Sequence, residues 1–291
     1  MEAQELFKKV RKIEIKTRGL SNQIFSGEYH SVFKGRGMAF SEVREYQFGD
    51  DIRSIDWNVT ARFNHPFVKV FEEERELTVM LLIDVSGSNN FGTNLQLKQE
   101  LITEIAAVLS FSAIQNNDKV GVIFFSDVIE KFIPPKKGSS HILRIIRELI
   151  DFKAKNTGTN IAEALRYLTN VIKKKSTAFL ISDFMDSNLE KALQIANYKH
   201  DLIAVRVTDD RETEIPNVGM VRMRDAETGA LQWVDTSNAK TRNALQRYSR
   251  EKTAALDVAL ARAGVDMVRV YTGRDYVKPL MNLFKKRESR K

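Results

Sequence analysis

The chain has 291 residues, 43% hydrophobic and 29% charged, a soluble globular composition with room for one elaborated α/β domain or two modest ones. It has no cysteine, which excludes disulfides, thiolate metal sites and thiol nucleophiles, and no apolar run nears the roughly 20 residues of a membrane span. Lysine and arginine outnumber aspartate and glutamate by 46 to 38, with basic clusters from Lys8 to Arg18 and from Lys285 to Lys291. Such clusters suit anionic lipid, nucleic acid or an acidic protein, or form solvated helix faces; aromatics are not interleaved with them as in single-strand binders, which disfavours nucleic acid. The expected location is the cytoplasm, with peripheral contact at the inner membrane face left open.

In chain order, residues 2–19 read as a helix with Leu6, Val10 and Ile13 on one stripe, followed by a region punctuated by Gly27, Gly35, Gly37 and Gly49. Phe67 to Phe71 alternates like a half-buried strand. From Leu77 onward strands and helices alternate, which predicts a parallel sheet covered on both faces. Strands are expected at 77–83, 119–126, 178–182, 202–208 and 267–271, with a short antiparallel edge strand at 128–133 stopped by Pro134-Pro135. Helices are expected at 94–115, 141–151, 160–173, 189–200 and 239–263, with a final amphipathic one. A hairpin at about 217–236 interrupts the alternation.

Asp84-Val-Ser86-Gly-Ser88 follows directly on the apolar strand Val79 to Ile83. In an open α/β sheet the ligand crevice lies beyond the carboxyl ends of the strands. A carboxylate and two hydroxyls at alternate positions there are the hard oxygen donors that a cation such as Mg²⁺ takes. Further donors stand at later element ends: Thr159, with Thr157 as a rival two residues away, and Asp183 closing the strand at 178–182. The plainer reading makes the serines turn or cap residues and Asp183 a loop hydrogen-bonder.

Together Asp84, Ser86, Ser88, Thr159 and Asp183 resemble the metal-ion-dependent adhesion site of von Willebrand factor A-like domains. The resemblance implies Mg²⁺, with Mn²⁺ or Ca²⁺ as substitutes, bound directly by the hydroxyls and largely through water by the aspartates. A sixth position would stay open for a partner's carboxylate. Upstream, Gly35-Arg-Gly37, Phe40, Glu42, Arg44-Glu-Tyr46, Gly49-Asp-Asp51, Arg53-Ser-Ile-Asp-Trp57, Ala61-Arg62 and the acidic stretch Glu73 to Leu77 resemble the bacterial family called "domain of unknown function 58". That resemblance implies a von Willebrand A-like (Rossmann-like) α/β fold, with an extension over 1–76 and the main domain over 77–291. It also implies an adaptor working with a MoxR-type AAA+ ATPase in the assembly or maturation of protein complexes.

Residue by residue, the upstream segment is dense in opposite charges. Arg44, Asp50, Asp51, Arg53, Asp56 and Arg62 read either as a partner-docking surface or as a salt-bridge and turn network with Trp57 as its apolar anchor. No histidine or nucleophile completes a catalytic site around Asp50 and Asp51, and the four histidines lack metal-ligand spacing. The phosphate-binding loop G-x-x-x-x-G-K-[ST] and the nucleophile elbow G-x-S-x-G are absent. The expectation is therefore a noncatalytic, Mg²⁺-dependent protein-binding module. The alternatives are a metal-dependent phosphoester hydrolase using Asp84 and Asp183, and a basic scaffold for anionic lipid or nucleic acid.

Overall fold

The computed structural model describes residues 39–72, 77–90, 92–93, 96–186, 189–213, 216–224 and 230–290. The helix expected over 2–19, the Gly35-Arg-Gly37 motif and the acidic stretch Glu73 to Glu76 lie outside them. Backbone contacts divide the chain into two compact units, one within residues 33–77 and one from residue 78 onward.

In the smaller unit β1 (Ala39–Glu45) pairs antiparallel with β2 (Phe67–Glu72), and a bulge between Phe40 and Glu42 interrupts the register. That bulge breaks the two-residue alternation a strand is recognised by, so β1 was not legible as one. Between them lies α1 (Trp57–Phe63). Asp56 caps it by accepting from the backbone N–H groups of Asn58 and Val59 at 3.0 and 3.3 Å, and Asn64 ends it at φ 55°, the left-handed conformation common after a helix.

The larger unit is an α/β sheet. Its elements run β3 (Thr78–Asp84), β4 (Gly92–Thr93), β5 (Gln96–Leu97), α2 (Lys98–Gln115), β6 (Lys119–Phe125), β7 (Ile129–Lys136), α3 (Ser139–Asp151) and α4 (Ile161–Val171). There follow β8 (Thr177–Ser182), α5 (Glu190–Lys199), β9 (Asp201–Thr208), α6 (Asp210–Thr213), β10 (Met220–Arg224), β11 (Leu231–Asp235), α7 (Ala239–Arg262), β12 (Asp266–Tyr271) and α8 (Val277–Glu288). Six strands pair in the order β12-β9-β8-β3-β6-β7, all parallel except β6 with β7. β10 and β11 form the expected separate hairpin.

Strand alternation sends successive side chains to opposite faces. Met80, Leu82, Ala178, Leu180, Leu202 and Ala204 cluster with Leu165 and Leu168 of α4, Leu193 of α5 and Leu256 and Leu260 of α7. On the other face the Phe179 ring meets Phe284 of α8 edge-on, with centroids 6.4 Å apart. Helices thus cover both faces of a mostly parallel sheet, the α/β layering that the alternation from Leu77 onward predicts. Along α2 the buried positions run almost without interruption from Leu101 to Ala113, because this helix is enclosed rather than one-sided.

The edge strand differs from expectation in one respect. β7 does not stop at Pro134-Pro135 but continues through them to Lys136, with a register shift opposite Gly121. Proline is tolerated there because an edge strand has one unpaired side and a bulge needs fewer ladder bonds. The close approach requires glycine in β6. A Cβ on Gly121 would lie 2.8 Å from Met80 Sδ and 2.9 Å from the Pro135 nitrogen.

β3 sits at the centre, between β6 on one side and β8 on the other. The chain therefore leaves its carboxyl end in one direction and returns in the other, the arrangement that opens a crevice at the strand tips.

Candidate metal centre

Three loops meet at the carboxyl end of β3, and each is hydrogen-bonded to the other two. The Gly87 N–H donates to the Thr157 carbonyl at 3.0 Å. At the start of α4 the Ile161 N–H donates to Asp186 Oδ2 at 2.8 Å. The triangle is closed by the Ser182 hydroxyl, which donates to Asp84 Oδ2 at 2.6 Å. The loop after β3, the loop before α4 and the loop after β8 are thereby fixed around one point.

Asp84 closes β3, and the other four candidate ligands stand in those loops. Asp84 is 1% exposed and accepts from the Ser86 N–H at 2.9 Å through Oδ1. Burial, and then the neighbouring Asp183 carboxylate, push its pKa up to about 6, against the Ser182 and Ser86 hydrogen bonds that favour the charged form. The Ser86 and Ser88 hydroxyl oxygens are 3.1 Å apart, and both residues are buried. Thr159 Oγ1 is buried without a hydrogen-bond partner, whereas Thr157 is exposed at the surface. Asp183, 3% exposed, accepts from the Met185 N–H at 3.3 Å across a turn in which Phe184 takes φ 60°.

Sequence reasoning missed Lys98. It opens α2 with no exposed surface, and its ammonium donates to Asp183 Oδ2 at 2.9 Å and is also ion-paired with Glu212 of α6. Burial pulls its pKa down, but Asp183 and Glu212 together more than reverse this, so the lysine is held charged. Glu212 is nevertheless pushed up, because its burial and the charge of Asp183 outweigh the shared ammonium. Two carboxylates divide one cation. Ser182 and Asp186 were also missed, and only their place beside Asp183 at a strand end could have marked them.

This donor set fits a hard divalent cation. Among the described residues no three His, Cys, Asp or Glu side chains are grouped as a metal cage, so a cation here would depend on hydroxyls. Ser86, Ser88 and Thr159 offer them, and Asp84 supplies negative charge in a low-dielectric setting. With its Oδ2 on Lys98, Asp183 suits a role through bound water better than direct contact. Beside the centre a cavity of about 410 Å³ is walled by Asp84, Ser86, Gly87, Phe152 and Thr157.

The smaller unit resolves its own charges locally. Arg44 grips Asp50 with two parallel bonds of 2.7 and 2.8 Å, and the Gln47 N–H adds a third to Asp50, which lowers its pKa. Asp51 accepts from the Arg53 N–H at 3.0 Å to start the turn at Ile52–Ser54, and Asp56 caps α1 with Lys69 3.4 Å away. Trp57, an apolar anchor in one of the two readings of this segment and part of a docking surface in the other, is 68% exposed, and Phe48, Ile52 and Phe63 are exposed as well. Arg53 and Arg62 are exposed beside it in sequence.

Residues 42–255 match the family described as "Protein of unknown function DUF58". The chain belongs to the DUF58 family. An uncharacterized protein of Mycobacterium bovis is 27% identical over 275 residues, which is 94% of this chain and 86% of that one. Among solved structures, BatB from Bacteroides thetaiotaomicron is 18% identical with a TM-score of 0.49, covering 73% of this DUF58 chain and 99% of its own. The VWA domain of SpRpn10 is 8% identical with a TM-score of 0.42, covering 71% and 94%. No helix among the described residues is long and apolar enough to cross a membrane.

Proposed function

We propose that this DUF58 protein is a noncatalytic module that captures a carboxylate of a protein partner through Mg²⁺ at the tip of β3. The observation that carries this reading is the buried, partnerless hydroxyl of Thr159 in a loop tied to both aspartate-bearing loops. A buried hydroxyl without a partner costs roughly 1–3 kcal/mol, so its retention calls for a ligand. Ser182 and the Ser86 N–H hold the Asp84 carboxylate in one orientation, and Lys98 neutralises Asp183 from beneath. A bound cation would supply Lewis acidity toward a carboxylate, undiminished by its neutral hydroxyl ligands.

Two observations support a noncatalytic role. The buried imidazoles are engaged elsewhere, His141 on the Val120 carbonyl at 2.9 Å and His200 on the Ser176 hydroxyl at 3.0 Å. Asp84 accepts from the Ser182 hydroxyl and Asp183 from the Lys98 ammonium, contacts that use both carboxylates as fixed acceptors. The MoxR-type AAA+ ATPase, assembly or maturation of complexes, and a cytoplasmic or peripheral location enter this reading through family resemblance. The exposed Trp57, Arg53 and Arg62 offer a docking surface of their own.

Calorimetric titration of Mg²⁺ tests the site. Ser86→Ala and Thr159→Ala should each weaken binding by tenfold or more, on the order of the loss when one ligand or its support is removed, with thermal unfolding little changed. Capture of a partner from cytosol should require Mg²⁺; undiminished capture in chelator would sink the reading. A metal-dependent phosphatase or nuclease activity abolished by Asp84→Asn would replace it with the hydrolase.

A further inference from the structure

The carboxyl-terminal halves of β9 and β12 carry a second concentration of charge, positive in sign. Arg206 and Arg269 are register partners on these adjacent parallel strands, so two guanidinium groups leave the sheet side by side on the face covered by α7. Arg206 is only 8% exposed, and among the described residues its Nη1 donates to Thr253 Oγ1 at 3.1 Å. The Nε groups of both Arg206 and Arg269 are buried without a partner. Asp257 of α7 is taken by Arg269, which reaches both of its oxygens. Arg250 completes the wall of a cavity of about 380 Å³ whose other polar groups include Thr208, Ser249 and Tyr271. Asp257 and Asp183 both favour the charge on Arg206, but among the described residues the structure gives neither a hydrogen bond to it, and Arg269 and the exposed Arg250 add positive charge around the same cavity.

Arg206 is buried beside a second guanidinium whose carboxylate is already taken, and a buried ion without a hydrogen-bonded counter-charge costs several kcal/mol. We infer that this cavity is an anion site for the phosphate group of a small molecule. Guanidinium forks converging from neighbouring strands, with hydroxyls around them, suit an oxyanion that accepts from several directions, where a planar carboxylate would occupy one fork. The volume leaves room for the organic part of a phosphate ester as well as the phosphate itself. The cavity shares no lining residue with the one beside the candidate metal centre, although Arg206 feels the Asp183 carboxylate.

The test compares inorganic phosphate, glycerol 3-phosphate and sodium chloride at matched ionic strength on the full chain, by thermal unfolding and calorimetry. Both phosphates should bind saturably and raise the unfolding temperature, chloride should not, and a tighter ester would identify the organic part as recognised. Arg206→Met should unfold no lower than the parent without ligand, because an unpaired buried charge is removed, and should lose the phosphate-induced shift. Arg250→Met, at an exposed wall position, should fold normally and bind about tenfold more weakly, the scale of one charged hydrogen bond. Absence of saturable binding beyond chloride overturns the inference. So does unchanged phosphate affinity in Arg250→Met, or an Arg206→Met protein that is destabilised while binding phosphate as before.

Discussion

Lys98 shows how much of a site can rest on a side chain that touches no solvent. Its ammonium is the shared counter-charge of Asp183 and Glu212, so removing it strands two carboxylates in a poorly solvated place. Lys98→Met should cost about 3–5 kcal/mol in urea unfolding, the range for breaking a buried pair. The neutral set Lys98→Met, Asp183→Asn, Glu212→Gln should recover most of that loss. A triple variant as unstable as the single one would mean that packing of the lysine stem, not charge, is what matters. The sequence concealed this residue for a physical reason: a lysine at a helix start reads as a solvated charge, and its carboxylate partner lies 85 residues away. Asp84, Ser86 and Ser88 were legible because they follow an unbroken apolar strand.

At the scale of elements, the alternation from Leu77 onward was readable because each buried strand is a short apolar run between turn residues. Helices α3 and α4 were readable because Ile142, Ile145, Ile146 and Leu149, or Ile161, Ala164, Leu165 and Leu168, repeat at helical spacing. The short pieces were not readable. α1 and α6 span at most two turns, too few for periodicity, and α1 is set by the Asp56 cap. Gly121 was unremarkable in sequence, although β6 cannot pass Pro135 without it. Gly121→Ala should destabilise by about 1–3 kcal/mol, the usual penalty of overpacking, measured as a lower urea midpoint at unchanged slope. An unchanged midpoint would show that β7 moves away freely.

For the molecule as a whole, the carboxyl-terminal basic cluster is partly paired. In the carboxyl-terminal cluster Arg287 pairs with Asp201 and Asp266, and Arg290 with Asp266, which ties α8 to the starts of β9 and β12. Buried imidazoles set the acid limit. Burial and then Lys199 hold His200 below the ordinary imidazole value of about 6.5. Burial likewise lowers His141, against its bond to Val120, with Arg144 and Lys136 adding to the shift. The unfolded chain then takes up protons first, so stability is complete above about pH 6.5 and declines as pH falls toward the folded-state values. His141→Gln and His200→Gln should flatten that decline in urea midpoints read from neutral to mildly acidic pH. Equal slopes in parent and variants would count against it; Asp84, pushed up to about 6, acts in the opposite sense but equally in both. The two prolines in β7 carry a consequence for behaviour in concentrated solution. An open sheet edge is a template on which a second chain can add a strand, and residues without an N–H interrupt such a template. Pro134 and Pro135 blunt that side of the six-stranded sheet, so self-association by strand addition is disfavoured there. Replacing both with threonine should bring forward concentration-dependent aggregation in light scattering while the monomer remains folded.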